Sequence, residues 1–188
     1  VNWLLNHRVR LAANLMHAGE IIAYPTEAVW GLGCDPMDRD AVLELLALKN
    51  RPLEKGVILI AASLEQVRSF IRPLTDQEVD RITENSGTPT TWVIPASDRA
   101  PFWITGGRDS LAVRITSHPL AGALCLAFGG PIVSTSANPG GMAPAMTALR
   151  VRQYFGDRVH VVHGPLGGSI KPSEIKDLET GKIFRSGG

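Results

Sequence analysis

Four stretches of this 188-residue sequence carry polar side chains whose types and spacing suit chemistry on an anionic ligand. The densest is Lys49-Asn50-Arg51-Pro52-Leu53-Glu54-Lys55-Gly56, with three cations on one Pro/Gly loop. Cations at a helix C-terminus are favoured by the helix dipole and are commonly just solvated. The same cluster also makes a compact polyanion clamp, with Arg51 as a planar fork and Lys49 and Lys55 as point charges. A triphosphate would reward the clamp, since each charge-assisted contact contributes about 1.5–3 kcal/mol.

The second stretch, Ser134-Thr135-Ser136-Ala137-Asn138-Pro139-Gly140-Gly141, runs hydroxyls into a glycine turn. It reads either as a capped turn or as small donors and backbone N–H groups that approach phosphate closely. The third, Asp109-Ser110-Leu111-Ala112-Val113-Arg114, places an arginine within an apolar strand. Arg114 needs a partner, because an unpaired buried charge is very costly. That partner is a carboxylate of the protein or a ligand carboxylate gripped two-pronged. The fourth, Tyr24-Pro25-Thr26-Glu27-Ala28-Val29-Trp30-Gly31-Leu32-Gly33, offers the Thr26 hydroxyl beside a rigid proline. Its glycines allow a tight backbone path, so a plain turn with a packed Trp30 is the competing reading.

These stretches must be held by regular elements. Trp3 to Ala18 has helical spacing of apolar residues and stops at Gly19. Ile21 to Tyr24 reads as a buried strand, followed by a loop over residues 26–33. Asp38 caps a helix to about Lys49, and Pro52 prevents its continuation. Val57 to Ala62 is a strand, and Ser63 caps a helix to about Ile71. Thr75 and Glu78 have capping-box spacing for a helix ending at Asn85-Ser86-Gly87. Strands follow at 90–94, 111–115, 132–135 and 159–162, with helices at 120–128 and 147–155. A loop spans 95–109, and a hairpin pairs 174–178 with 182–184. Strands and helices mix without strict alternation, which predicts an α/β domain built on a twisted mixed sheet.

Several functions are excluded by what the sequence lacks. It holds no G-x-x-x-x-G-K-[ST] loop, no G-x-G-x-x-G after a strand and no G-x-S-x-G elbow. His7, His17, His118, His160 and His163 show no metal-ligand spacing. Cys34 and Cys125 are far apart and read as small buried thiols. Charged residues make up 20% and hydrophobic ones 44%, an ordinary globular balance. The net charge of +1 argues for a local cation cluster rather than a basic nucleic-acid-binding surface. No run of about 18 apolar residues is present, and the chain opens on an amphipathic pattern rather than a signal peptide. A cytoplasmic protein with no membrane contact is expected.

Taken in order, PTEAVWGLG (25–33), KNRP (49–52), DSLAVR (109–114), STSAN (134–138) and PSEIKDLETGKIFR (172–185) resemble the YrdC family of threonylcarbamoyl-AMP synthases. The length resembles the short bacterial form, with one YrdC-like domain over 1–188. The resemblance implies helices flanking the sheet, a large positively charged cavity, and ATP, Mg²⁺, L-threonine and bicarbonate as substrates and cofactor. The Mg²⁺ would be carried by ATP rather than by a protein metal site. The product would pass to the tRNA threonylcarbamoyl-transferase complex, with direct RNA contact a further option. By carry-over, Lys49, Arg51, Ser136 and Asn138 form the catalytic polar cluster and contact ATP. Ser110 and Arg185 match nucleotide-contacting positions, and Lys55 is added on electrostatic grounds. Thr26, Arg114, Ser134 and Ser173 match threonine-contacting positions. The sequence departs from the family pattern at Ala28, Trp30, Gly56, Ile60 and Glu174. Glu174 should point away from phosphates, because strand neighbours face opposite sides. The competing class is a non-catalytic module for double-stranded RNA or tRNA, disfavoured by the weak net charge and the 6% aromatic content.

Overall fold

The computed structural model describes residues 2–84, 89–169 and 173–186. The helices are α1 (His7–His17), α2 (Arg39–Leu48), α3 (Asp76–Thr83), α4 (Phe102–Thr105), α5 (Pro119–Phe128) and α6 (Ala148–Phe155). The strands are β1 (Ile22–Pro25), β2 (Trp30–Gly33), β3 (Ile58–Ala61), β4 (Thr90–Pro95), β5 (Ser110–Ile115), β6 (Ile132–Ser136), β7 (His160–Val161), β8 (Glu174–Asp177) and β9 (Ile183–Arg185). They form one twisted mixed sheet in the order β7-β1-β2-β6-β3-β5-β4-β8-β9. The pairs β1–β7, β3–β5 and β4–β8 are parallel, and the other pairs are antiparallel.

Local chemistry explains most boundaries. Asp38 caps α2 through the N–H groups of Asp40 and Ala41. Thr75 and Glu78 close a reciprocal capping box on α3, which satisfies two donors that the first helical turn leaves open. Pro119 opens α5 and the His118 ring accepts from Ala121 N–H. Three expectations are corrected. The segment 26–33 is not all loop: Trp30–Gly33 forms β2, because a hairpin partner in β1 supplies its hydrogen bonds. The first helix breaks at Asn6, whose side chain caps α1 and leaves Trp3–Leu5 as a single 3₁₀ turn. Leu64–Phe70 is 3₁₀ rather than α, and Ser63 makes no side-chain cap. Gln66 Oε1 instead accepts from Ala62 N–H. The expected stop of α3 at 85–87 lies outside the described residues. Within 95–109 a short α4 forms.

The two faces of the sheet differ, and this difference makes the site. On one face Ala23, Leu59, Val113 and Val133 pack with α2, the 3₁₀ segment and α6 in a continuous apolar core. On the other, Ile22, Tyr24, Ile60 and Ile132 pack under α1 and α5. Those two helices cover only part of the second face. Beyond them the strand positions that point the same way turn from apolar to polar.

Candidate functional site

The uncovered part of that face is the floor of a cavity of about 640 Å³, lined from both strands and loops. This lies within the usual range for small-molecule sites, about 300–1,000 Å³. Strand periodicity places the key side chains. In β5, Leu111 and Val113 are buried in the core while Ser110, Ala112 and Arg114 alternate with them. In β6, Val133 faces the core, whereas Ser134 and Ser136 line the cavity. Among the described residues, five cations (Arg51, Lys55, Arg108, Arg114, Arg185) and one carboxylate, Glu27, line it. That excess of cations suits an anion.

The β1–β2 hairpin carries Thr26 and Glu27 at its turn. Thr26 Oγ1 donates to the Val29 carbonyl at 2.7 Å, which stiffens the turn. Tyr24, fully buried on β1, extends across β2 and donates to Ser134 Oγ on β6 at 2.9 Å. A side chain at Gly33 would stand 2.9 Å from the tyrosine ring, and one at Gly31 would stand 3.4 Å from it. Neither glycine has a positive φ. The glycines of this motif therefore make room for Tyr24 rather than bending the backbone. Burial raises the Tyr24 pKa far above its ordinary value, so the phenol stays protonated and keeps donating. Ser134 then retains its own O–H for a ligand.

The cation loop divides its work. Lys49 is the C-cap of α2, and Asn50 follows with φ +48°, the αL position that reverses the chain. The Lys49 ammonium is buried and donates to the carbonyls of Ser136 and, at 2.8 Å, Asn138. The Lys49 carbonyl accepts from Gly140 N–H at 2.6 Å. Lys49 thus fastens the Ser136–Gly140 loop from behind and does not itself line the cavity. Ser136 Oγ donates to Asn138 Oδ1 at 2.6 Å, and Asn138 Nδ2 donates to the Met142 carbonyl at 2.8 Å. Arg51 points into the cavity, its Nε and Nη2 held by the Gly56 carbonyl at 3.2 and 3.0 Å. Burial and then Arg108 lower the Arg51 pKa. Burial and then Arg51 push the Lys49 ammonium down to about 8. Burial first and a neighbouring cation second disfavour the charged forms of Lys49 and Arg51, and perturbed groups of this kind concentrate at functional clefts.

The loop over 95–109 forms a wall. Trp103 Nε1 donates to the Pro36 carbonyl at 3.0 Å, and Val57 N–H donates to the Ile104 carbonyl at 2.9 Å. Gly56, at φ +59°, sits so close beneath this wall that a Cβ would meet the Thr105 carbonyl oxygen at 2.9 Å. Its place in the cation loop is thereby explained by close backbone approach.

Arg114 has a protein carboxylate beside it, Glu27, with Nη2 3.7 Å from Oε2. Glu27 Oε1 accepts from Thr116 Oγ1 at 2.6 Å. Arg185 reaches back from β9, donating through Nε and Nη2 to the Ser173 carbonyl at 3.2 and 2.8 Å. Burial first, and Arg114 second, lower the Arg185 pKa. Ser173 Oγ lies 2.8 Å from Thr91 Oγ1.

Of the residues singled out from sequence, Thr26, Arg51, Lys55, Ser110, Arg114, Ser134, Ser136, Ser173 and Arg185 line one cavity. Lys49 and Asn138 stand behind its wall. Glu174 pairs with Lys176 at 2.6 Å and does not line the cavity, whereas Ile175 beside it does. Trp30 and Ala28 line the cavity, but Ile60 is wholly buried under α1 and α5. Sequence reasoning missed Glu27, Arg108, Thr116 and Tyr24. Glu27 was visible as a lone carboxylate inside a motif of small and apolar residues; Arg108 had no local signal. Among the described residues no three of His, Cys, Asp and Glu cluster as metal ligands. Both cysteines are buried and free, with burial pushing the Cys125 thiol up to about 12. No helix among the described residues is long and apolar enough to cross a membrane.

A mixed sheet with one face half roofed by helices and the rest open as a cation-lined cavity defines an α/β protein whose cavity suits an anionic ligand. Comparison with known proteins makes this specific. The model of the Sua5/YciO/YrdC family, described as "Telomere recombination", matches residues 14–187, and the chain belongs to that family. It is 54% identical over 186 residues to the threonylcarbamoyl-AMP synthase of Cellvibrio japonicus, covering 98% of each chain. It is 53% identical to the threonylcarbamoyl-AMP synthase of Halorhodospira halophila, covering 95% of this chain and 94% of that one. The crystal structure of P. abyssi Sua5 complexed with L-threonine superposes with a TM-score of 0.88 at 31% identity. That match covers 96% of this chain but only 54% of P. abyssi Sua5, so the chain spans about half of that protein.

Proposed function

We propose that this protein is a threonylcarbamoyl-AMP synthase, a nucleotidyltransferase that makes L-threonylcarbamoyladenylate and pyrophosphate from ATP, L-threonine and bicarbonate. The observation that carries the reading is the convergence of a carboxylate-binding group, Arg114 with Ser134 and Ser173, and a phosphate-binding group, Arg51 with Ser136 and Arg185, in one cavity. The naming of relatives about half identical over nearly the full length supports it. An RNA-binding module without catalysis finds no support in those relatives.

In this reading Arg114 holds the threonine carboxylate, and Thr26, Ser134 and Ser173 orient the rest of the amino acid. The threonine amine takes up bicarbonate with loss of water to give an N-carboxylate. A carboxylate oxygen then attacks the α-phosphorus of ATP, and pyrophosphate leaves. Arg51, Lys55, Ser110, Ser136 and Arg185 bind ATP and meet the charge on the equatorial and leaving oxygens. Lys49 and Asn138 hold the Ser136 loop in place, and Lys49 adds positive charge behind it. Positioning alone contributes about 7–11 kcal/mol in favourable cases, so no covalent enzyme intermediate is required. Mg²⁺ enters as part of the ATP substrate. Glu27 is the one lining carboxylate among the described residues and lies beside the Arg114 guanidinium, so phosphate oxygens and water would supply the metal's ligands, an arrangement Mg²⁺ tolerates well. The product serves threonylcarbamoyladenosine formation in tRNA through a transferase complex.

The test is incubation with ATP, Mg²⁺, L-threonine and bicarbonate. The adenylate should be seen by mass, and pyrophosphate release should need both threonine and bicarbonate. Release that ignores threonine, or no adenylate at all, would overturn the assignment.

A further inference from the structure

Two polar atoms in the cavity wall are buried and, among the described residues, make no hydrogen bond: Glu27 Oε2 and Arg114 Nε. They belong to neighbouring side chains, with Glu27 6% exposed and the Arg114 side chain 12% exposed. At 3.7 Å the two groups sit side by side as an ion pair without satisfying each other. The second Glu27 oxygen is taken by Thr116, which fixes the carboxylate and leaves Oε2 as its unbonded atom, covered in the ligand-free cavity wall. One orphan is an acceptor with negative charge and the other a donor with positive charge. A buried group left unsatisfied is costly, and native structures keep such groups for a reason.

Building on the proposed threonine site, we infer that Glu27 is the receptor for the substrate ammonium, so that Arg114 and Glu27 together read the zwitterion of an α-amino acid. Charge balance favours this over a hydroxyl contact. When a ligand carboxylate shares Arg114, the Glu27 carboxylate loses part of its countercharge, and a cation must replace it for the buried ensemble to stay neutral. The ammonium of an α-amino acid lies one carbon from its carboxylate, which matches two adjacent receptor groups of opposite sign. A neutral hydroxyl would leave an unbalanced negative charge. Burial pushes the Glu27 carboxyl up, but Arg114, Thr116, its own backbone N–H and His118 together hold its pKa below its ordinary value. Glu27 is therefore a binding group and a poor base; the proton that the nitrogen loses before carboxylation goes to solvent or bicarbonate.

Calorimetric titration with three ligands tests this: L-threonine, L-valine (ammonium kept, hydroxyl absent) and (R)-3-hydroxybutyrate (hydroxyl kept, ammonium absent). The unmodified protein should bind threonine about ten- to hundredfold more tightly than hydroxybutyrate. Glu27→Gln should weaken threonine and valine by that same factor and leave hydroxybutyrate no weaker, or tighter because Arg114 is no longer shared, and Glu27→Asp should fall between. Equal loss for all three ligands would mean that Glu27 acts only through Arg114. Loss confined to threonine would make it a hydroxyl reader. Either result overturns the inference, as does an unmodified protein that does not separate threonine from hydroxybutyrate. A protein that binds neither threonine nor valine would instead sink the threonine reading on which the inference rests.

Discussion

Tyr24 and Ser134 sit on strands that are not neighbours, yet the phenol donates to the serine oxygen at 2.9 Å across the intervening β2. The passage exists because Gly31 and Gly33 have no side chains. A Cβ at Gly33 would stand 2.7 Å from the Val133 carbonyl oxygen and 2.9 Å from the Tyr24 ring. Gly33→Ala should therefore cost about 1–3 kcal/mol through overpacking. It should also raise KM for threonine by displacing Ser134. Thermal unfolding and threonine titration of the rate measure the two effects, and an unchanged Tm would refute the packing argument.

Lys49 should give stability and activity opposite pH trends. Its pKa is pushed down to about 8, below the ordinary lysine value of about 10.4. Between those values the unfolded chain binds more protons than the folded one, so this group makes stability rise as pH rises through the window. The positive charge behind Ser136 disappears over the same range, so pyrophosphate release should decline as pH passes about 8. Lys49→Arg should be slower overall but lose that alkaline limb, because a guanidinium keeps its proton. A limb that survives in Lys49→Arg would belong to another group.

Among the described residues Arg51 hydrogen-bonds only to the carbonyls of Gly56 and Lys55, so its removal should leave the fold intact. Arg51→Ala should lower kcat by about 10²–10³ if the guanidinium stabilises charge on the transferring phosphoryl group. Circular dichroism should be unchanged. A folded variant with full turnover would remove the phosphate role.

Arg114→Ala should unfold more readily because Glu27 is left buried beside no countercharge. The loss should be about 1–3 kcal/mol, and Arg114→Ala with Glu27→Ala should recover more than half of it. Urea titrations of the two single variants and the double variant complete the cycle. Additive losses would show that the pair is not coupled.

The α3 cap is predicted to matter for stability alone. Arg72, and then the Thr75 backbone, hold the Glu78 carboxyl down to about 2. A depressed carboxylate contributes stability above its unfolded value of about 4.3 and loses it as pH falls toward about 2. Thr75→Ala should cost about 1 kcal/mol with unchanged pyrophosphate release, since none of these residues lines the cavity.

Caps and periodicity were legible because they are local. Asp38, and Thr75 with Glu78, each start a helix as the sequence predicts. An arginine within the apolar strand 111–115 marked Arg114 as needing a partner, and the alternation seen in β5 sets it on the face opposite Leu111 and Val113. The strand Trp30–Gly33 was not legible: two glycines in four residues read as a turn, and only the β1 and β6 partners make it a strand. Ser63 makes no side-chain cap, and the Gln66 amide oxygen is taken up by Ala62 N–H ahead of the turn.

The sequence by itself determined the inventory: which cations and hydroxyls exist, which lie on strands and which on loops, and the family they mark. Tertiary structure decided how those groups divide the work. It set Lys49 behind the wall and Arg51 in front of it, placed Glu27 against Arg114, and gave Gly31 and Gly33 the task of clearing a path for Tyr24. Helix caps and strand alternation depend on residues a few positions apart. The direction of a side chain and its charge partner depend on strands brought together from distant parts of the chain.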